Sequence, residues 1–270
     1  MNQNGWLETH SWLQPLASLQ AHINAEIAEI PIAPPAIPEW RGYADDFHAA
    51  VPLLHSPKAG IEVEPVEKYI ALLVEKLAVS SLPYSLAEES KILHTELCRA
   101  ADAPCAAVGW LLYDAPFTTS VPGFLRYIGW KALSWYLDPV VQAFGKWRDE
   151  ERWLQRYCPT CGALPNMAQL VGKDPGRRRL LCCGCCGTRW WYRRTGCPFC
   201  DSQNDHLSVL TVEGEAALRI DHCESCSGYL KTYDGEGYES VLLADWTSIH
   251  LDIIAQDRGL KRLATSLYHL

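Results

Sequence analysis

Residues 182–194 read CCGCCGTRWWYRR, four cysteines in five positions followed by a run of aromatic and basic side chains. A tetrahedral metal site cannot use four thiolates packed this closely on one strand, so part of its shell must come from elsewhere in the chain. Along the chain the cysteines sort into C-x2-C pairs: Cys158/Cys161, Cys197/Cys200 and Cys223/Cys226, with Cys183/Cys186 or Cys182/Cys185 as the pair inside the run. With Cys183/Cys186 chosen, 21 residues separate Cys161 from Cys183 and 22 separate Cys200 from Cys223. The first and third pairs then lie 39 positions apart and the second and fourth 40, which is an internal repeat.

Cys182/Cys185 also makes a C-x2-C pair, with a gap of 20, so spacing alone leaves it open. Gly187 favours Cys183/Cys186. CPTCG at 158–162 places glycine directly after its second cysteine, where a tight knuckle turn favours positive φ, and CGCCG at 183–187 repeats the placement. Cys182 and Cys185 are then spares. Two pairings of knuckles are possible, sequential (158/161 with 183/186, then 197/200 with 223/226) or interleaved (158/161 with 197/200). The tandem repeat favours the sequential one.

Each unit spans about 40 residues, a size at which an apolar core rarely suffices without metals or disulfides. Metal is therefore expected to be part of folding. Four-thiolate tetrahedral shells suit Zn²⁺ and also a single iron of the rubredoxin kind, and the spacing does not choose between them. With all four ligands supplied by protein, no position stays open for water, which argues against hydrolytic metal catalysis.

The rest of the composition is that of a folded protein, 270 residues with 48% hydrophobic and 21% charged side chains. The opening MNQNGWLETHSWLQPLASLQ has no basic region and no continuous apolar run, so no signal peptide is read, and no apolar stretch of about 18 residues suggests a membrane span. A cytosolic location is expected, where 12 cysteines read as metal ligands or redox groups rather than a disulfide framework. Only Cys98 and Cys105 precede residue 158. Residues 1–150 hold 18 acidic and 10 basic residues, against 2 and 9 in 151–195, so the two parts differ in charge as well.

Residues 1–150 read as a helical bundle. In PVEKYIALLVEKLA, Val66, Tyr69, Ile70, Leu73 and Leu77 form an amphipathic stripe. Ser85 with Glu88 predicts a capping box opening the next helix. Pro122 to Leu137 predicts a buried helix, and Asp138-Pro139 the start of another reaching about Trp147. IPIAPPAIPEW at 30–40 is too rich in proline for helix and predicts an extended connector. After Cys226, Leu242, Trp246, Ile249 and Ile253 share a helical face, with Gly259 as its stop. The domain boundaries expected are 1–150 for the helical domain, 151–195 and 196–240 for two metal modules, and 241–270 for a closing helix and tail.

CPTCGALPNMAQL, RRRLLCCGCCGTRWWYRRTGCPFC and HCESCSGYLKTYD closely resemble the formate dehydrogenase accessory protein FdhE family, as does the closing LADWTSIHLDIIAQDRG at 243–259. The resemblance is specific over 156–259 and diffuse over the N-terminal helices, where LRYIGWKALSWYL (125–137) carries it. It implies an N-terminal helical bundle, two tandem rubredoxin-like or zinc-ribbon metal modules and a C-terminal helix, an α plus small-β multidomain fold. It implies a cytoplasmic, non-enzymatic maturation factor that binds the catalytic subunit of a molybdenum or tungsten formate dehydrogenase. The metal sites carried over are Cys158, Cys161, Cys183, Cys186, Cys197, Cys200, Cys223 and Cys226, for two iron or two zinc ions. Cys182 and Cys185 depart from the family pattern, as does the end KRLATSLYHL, which lacks the expected Asn-Pro.

Two other function classes stand beside the accessory protein. Arg177, Arg178, Arg179, Arg189, Arg193 and Arg194 beside Trp190, Trp191 and Tyr192 suit a nucleic-acid-binding ribbon, although a net charge of −8 weighs against it. A rubredoxin-like electron carrier is the third. For a protein partner, the expected surface is Trp190, Trp191, Arg193 and Arg194, since aromatic and arginine side chains dominate interface energetics.

Overall fold

The computed structural model describes residues 3–80, 82–173, 175–203 and 206–268, and they form two compact units. One unit contains 14–44, 53–147 and 267–268, and the other 3–13, 45–52 and 148–266. Among the described residues, no helix is long and apolar enough to cross a membrane.

The first unit is a helical bundle. The helices of the chain begin with α1 (Gln3–Thr9), α2 (Gln14–Glu29) and α3 (Trp40–His48); in the bundle α4 (Glu64–Val79) touches α2, α5 (Tyr84–Leu97), α6 (Ala103–Tyr113) and α7 (Pro122–Trp147). The expected stripe explains why: Val66, Tyr69, Ile70, Leu73 and Leu77 are all buried, each apolar side chain contributing about 1.5–3 kcal/mol. Tyr69 sends its hydroxyl to the Ile27 carbonyl at 2.9 Å, so its polar end is satisfied inside the bundle. The stretch 31–39 has no regular secondary structure, as its prolines require.

Two helix boundaries differ from expectation. α5 starts at Tyr84 with Pro83 at its N-cap and no side-chain cap, so Ser85 lies inside the first turn and the capping box does not form. Asp138-Pro139 does not begin a new helix, because α7 runs through it to Trp147. Asp138 and Pro139 are both exposed, as is Trp135, whose carbonyl loses its partner to the proline ring. Water can solvate that carbonyl there. On the opposite face Leu133, Tyr136, Leu137, Val140 and Phe144 stay buried, and this continuous apolar stripe holds the two halves in one helix.

The second unit carries a six-stranded sheet: β1 (Met167–Val171), β2 (Arg178–Cys182), β3 (Arg189–Tyr192), β4 (Leu207–Thr211), β5 (Leu218–Cys223) and β6 (Tyr229–Asp234). Strands β1, β4 and their successors start in step, 40 residues apart in each of the three pairs, so the cysteine repeat is also a repeat of three-stranded meanders. The strand order is β3-β2-β1-β6-β5-β4. The meanders are antiparallel within themselves and join through a parallel pairing of β1 with β6, Met167 opposite Lys231 and Leu170 opposite Asp234. The two modules thus share one sheet. Joined head to tail, the first strand of one repeat pairs with the last strand of the other.

The closing segment is three short helical pieces, α8 (Glu239–Leu242), a 3₁₀ turn (Asp245–Ser248) and α9 (Ile249–Asp257), rather than one helix. Leu242, Trp246 and Ile249 are buried as expected, but Ile253 is 48% exposed, because the break shifts the helical phase. Gly259, at φ +74°, lies just past the end of α9 and is the stop. α9 touches β5 and β6. A buried charge network joins them: Lys231 reaches Asp245 and Asp252 at 2.7 Å each, and Arg262 reaches the same two carboxylates at 2.6 and 2.8 Å. Tyr229 adds its hydroxyl to Asp252 at 2.7 Å. Burial alone would push Asp245 up, but Lys231 and Arg262 outweigh it and hold its carboxyl at about 2.

Two candidate four-thiolate centres

Four knuckles position the cysteines, and all four close in the same way. The amide of the first cysteine donates to the carbonyl five residues on: Cys158 to Ala163, Cys183 to Thr188, Cys197 to Ser202 and Cys223 to Gly228, each at 2.9 Å. The residue after the second cysteine has positive φ in every case: Gly162 (+77°), Gly187 (+74°), Asp201 (+66°) and Ser227 (+58°). Glycine relieves that conformation in the first module, whereas the second tolerates it with small polar residues, which is why no glycine marks its knuckles.

The knuckles bring the sulfurs together in two sets, Cys158, Cys161, Cys183 and Cys186, and then Cys197, Cys200, Cys223 and Cys226, every Sγ within 4.8 Å of the others in its set. Cys158 lies 3.5 Å from Cys186 and Cys161 3.4 Å from Cys183, and the corresponding distances in the second set are 3.8 and 3.7 Å. Four thiolates at about 2.3 Å from a central ion sit about 3.8 Å apart in a tetrahedron, so both sets have the dimensions of a metal shell. Each can hold one ion, two per chain. Cys182 and Cys185 lie outside both sets. Cys182 is the last residue of β2, and burial pushes its thiol up to about 12, making it inert.

The electrostatics also fit a cation. Burial leads in pushing Cys158 well above the ordinary thiol range, and hydrogen bonds donated by its thiol to the Cys183 and Cys186 sulfurs add to the rise. Burial opposes ionisation of Cys186 as well, yet the neighbouring sulfurs and Thr188 hold it well below that range. In the second set the Ser202 hydrogen bond leads in bringing Cys200 down to about 6, while burial pushes Cys226 up to about 12. Four crowded thiols cannot all ionise by themselves, and a divalent or trivalent cation among them would displace the protons and offset part of the thiolate charge.

The two sets differ in access. The first is wholly buried, whereas Cys200 is exposed and Cys226 partly so. A cavity of about 330 Å³ adjoins the second set, with Cys197 and Cys223 in its wall beside Arg194, Arg219 and His222.

The residues expected to meet a partner do not share one environment. Trp190 is fully buried and donates its indole N–H to the Gln155 carbonyl at 2.9 Å, so it belongs to the core and is not available to a partner. The pleat explains this, since β3 alternates and Trp190 and Tyr192 point inward. Trp191 is half-buried beneath the Arg178 guanidinium, 3.8 Å from its ring centre. Arg193 pairs with Asp201 at the surface, and Arg194 is exposed beside the cavity. Leu154, 62% exposed, lines a surface hollow together with Arg193. The remaining arginines of this module are mostly compensated: Arg177 pairs with Asp234, Arg178 with Glu151 at 2.5 Å, and Arg179 is buried on the Gly196 carbonyl.

Lys231 and its carboxylate partners, and a His10–Glu215–His250 group, carry chemistry that sequence reasoning did not single out. Lys231 lies in SGYLKTYD, directly after the fourth knuckle, where no spacing marks it as a buried cation.

No protein-family model matches the chain. In aligned sequence it is similar to the Protein FdhE homolog of Aquifex aeolicus, 34% identical over 130 residues, a match spanning 46% of each chain and so about half of that relative's length. It is also similar to Protein FdhE of Salmonella arizonae, 28% identical over 211 residues, or 76% of this chain and 67% of that one. The crystal structure of the FdhE protein from Pseudomonas aeruginosa superposes with a TM-score of 0.62 and 21% identity, covering 95% of this chain and 88% of that one. The resemblance to the FdhE family therefore holds both in aligned sequence and in fold.

Proposed function

We propose that this chain is a cytoplasmic accessory factor, not itself an enzyme, that binds the catalytic subunit of a molybdenum or tungsten formate dehydrogenase during its maturation. The observation that carries this reading is the pair of four-thiolate sets built on one continuous sheet within an FdhE-like fold. Cys158, Cys161, Cys183 and Cys186 hold one iron or zinc ion, and Cys197, Cys200, Cys223 and Cys226 the other. The ions tie each knuckle pair together and so fix the sheet's surface. Trp191, Arg193 and Arg194, with Leu154 near Arg193, supply a surface of the aromatic, arginine and apolar types that dominate interface energies. The ion pairs of Arg177, Arg178 and Arg193 leave little uncompensated positive charge for phosphates, which does not favour the nucleic-acid reading.

The test is genetic. In cells that lack their own accessory protein, this chain restores formate dehydrogenase activity, and Cys183→Ser does not. Failure of the well-expressed, metal-loaded chain to restore activity toward every formate dehydrogenase tried argues against the reading. Electron transfer is a second reading, favoured by the exposed Cys200 at the second site. A reversible visible absorbance change on reduction of the purified chain supports it, and a colourless protein containing only zinc removes it.

A further inference from the structure

Away from the cysteines, three ligand-type side chains from distant parts of the chain converge in the sheet-bearing unit. His10 follows α1 (Gln3–Thr9), Glu215 lies between β4 and β5, and His250 is in the first turn of α9. One carboxylate oxygen, Glu215 Oε1, lies 2.8 Å from His10 Nε2 and 2.7 Å from His250 Nε2, and the three ligand atoms are all within 4.8 Å of one another. The side chains are largely shielded, 13%, 7% and 18% exposed.

The surroundings of His10 fix which nitrogen faces the group. Nδ1 is 3.1 Å from the Trp6 carbonyl and 2.9 Å from the Thr9 hydroxyl. The Thr9 hydroxyl donates its own hydrogen to that same carbonyl at 2.9 Å, so both neighbours of Nδ1 are acceptors and Nδ1 carries the proton. In the neutral ring Nε2 then presents a lone pair toward Glu215 Oε1. Two acceptors at that separation share either a proton or a metal ion, and the second imidazole converges on the same oxygen at 2.7 Å. A backbone carbonyl holding the far N–H is the arrangement that orients metal-binding histidines. Trp6 stacks on His10 at 3.9 Å and is itself held by its indole N–H on the Thr247 carbonyl at 3.1 Å, while Trp12 stands edge-on to both imidazoles. The Nδ1 of His250 is buried without a hydrogen-bond partner among the described residues.

We propose that His10, Glu215 and His250 form a third metal site, for a divalent transition-metal ion of the zinc class. Two imidazole nitrogens and one carboxylate oxygen suit zinc better than magnesium or calcium, which prefer all-oxygen shells. Three protein ligands leave a fourth position for water or another small ligand, unlike the closed four-thiolate sets. The ion ties residue 10, the β4–β5 turn and α9 to one another.

The experiment uses the untagged full-length chain, saturated with Zn²⁺, freed of loose metal by gel filtration and analysed for total metal. Three ions per chain are expected in the wild type, and two in His250→Ala and in Glu215→Gln, with far-UV circular dichroism unchanged. Saturation of the wild type at two ions overturns the proposal, leaving the trio a hydrogen-bonded latch, and so does retention of three ions by folded His250→Ala. A Co²⁺ titration of the wild type gives an answer that needs no variant. The third equivalent is expected to add ligand-field bands without further thiolate charge-transfer absorbance, and uptake that stops at two equivalents contradicts the site.

Discussion

The Nζ of Lys231 lies 2.7 Å from Oδ2 of Asp252, with side chains 1% and 2% exposed, and this contact fastens α9 to the strand that joins the two metal modules. Lys231 spends its other two donors on the Asp245 and Ser248 carbonyls, at 2.9 and 3.3 Å, and the Asp245 carboxylate stands 2.7 Å away, so the buried ammonium is fully satisfied. Removing one anion leaves a buried cation short of a partner. Asp252→Asn is expected to lower unfolding stability by about 3–5 kcal/mol, read from urea midpoints with metal content held equal. A change within about 0.5 kcal/mol would mean that water or another group replaces the carboxylate.

The same network has an acid limit. Asp245 is held at about 2, below its ordinary 3.8, so its contribution is complete above about pH 4 and is lost as pH falls toward 2. The stability difference between wild type and Asp245→Asn should therefore be widest above pH 4 and should close below it. A pH-independent difference would assign the effect to packing instead of charge.

Metal analysis separates the ligands from the spare cysteines. The Cys182→Ser/Cys185→Ser double variant should keep both thiolate-bound metals, whereas Cys183→Ser or Cys186→Ser should empty one site. Loss of an ion in the double variant would show that Cys182 or Cys185 takes part in binding.

Exposure predicts an order of release. With Cys200 exposed and the first set buried, a chelator should strip the second site first, roughly tenfold faster or more, about 1.4 kcal/mol in barrier. Release should be biphasic, and Cys226→Ser should remove the fast phase. A single phase in the wild type would mean that both sites open together.

Much of this architecture is legible in the chain because it is local. The 39- and 40-residue spacings mark knuckles, and knuckles set where strands begin, so the repeat carries over to all three strand pairs. The stripe on α4 is equally local. What is not legible depends on residues far apart. Parallel pairing of β1 with β6 is made by backbone groups more than 60 positions apart and leaves no period in the side chains. His10 meets Glu215 across 205 positions, which spacing cannot encode. Trp190 and Trp191 look alike in sequence, and only the pleat decides that the first is core. Pro139 misleads for a related reason, since its cost depends on whether that face of α7 meets water.

Capture of a formate dehydrogenase catalytic subunit by the purified full-length chain, with metal measured on the same bait, tests most directly whether the metal-organised sheet binds that subunit. The wild-type, metal-loaded chain is predicted to retain the subunit. Arg193→Glu/Arg194→Glu is predicted to weaken retention about tenfold or more, some 1.4 kcal/mol, with metal content unchanged. Undiminished capture by that variant would move the binding surface elsewhere on the chain. Failure of the fully metallated wild type to retain the subunit would contradict the account.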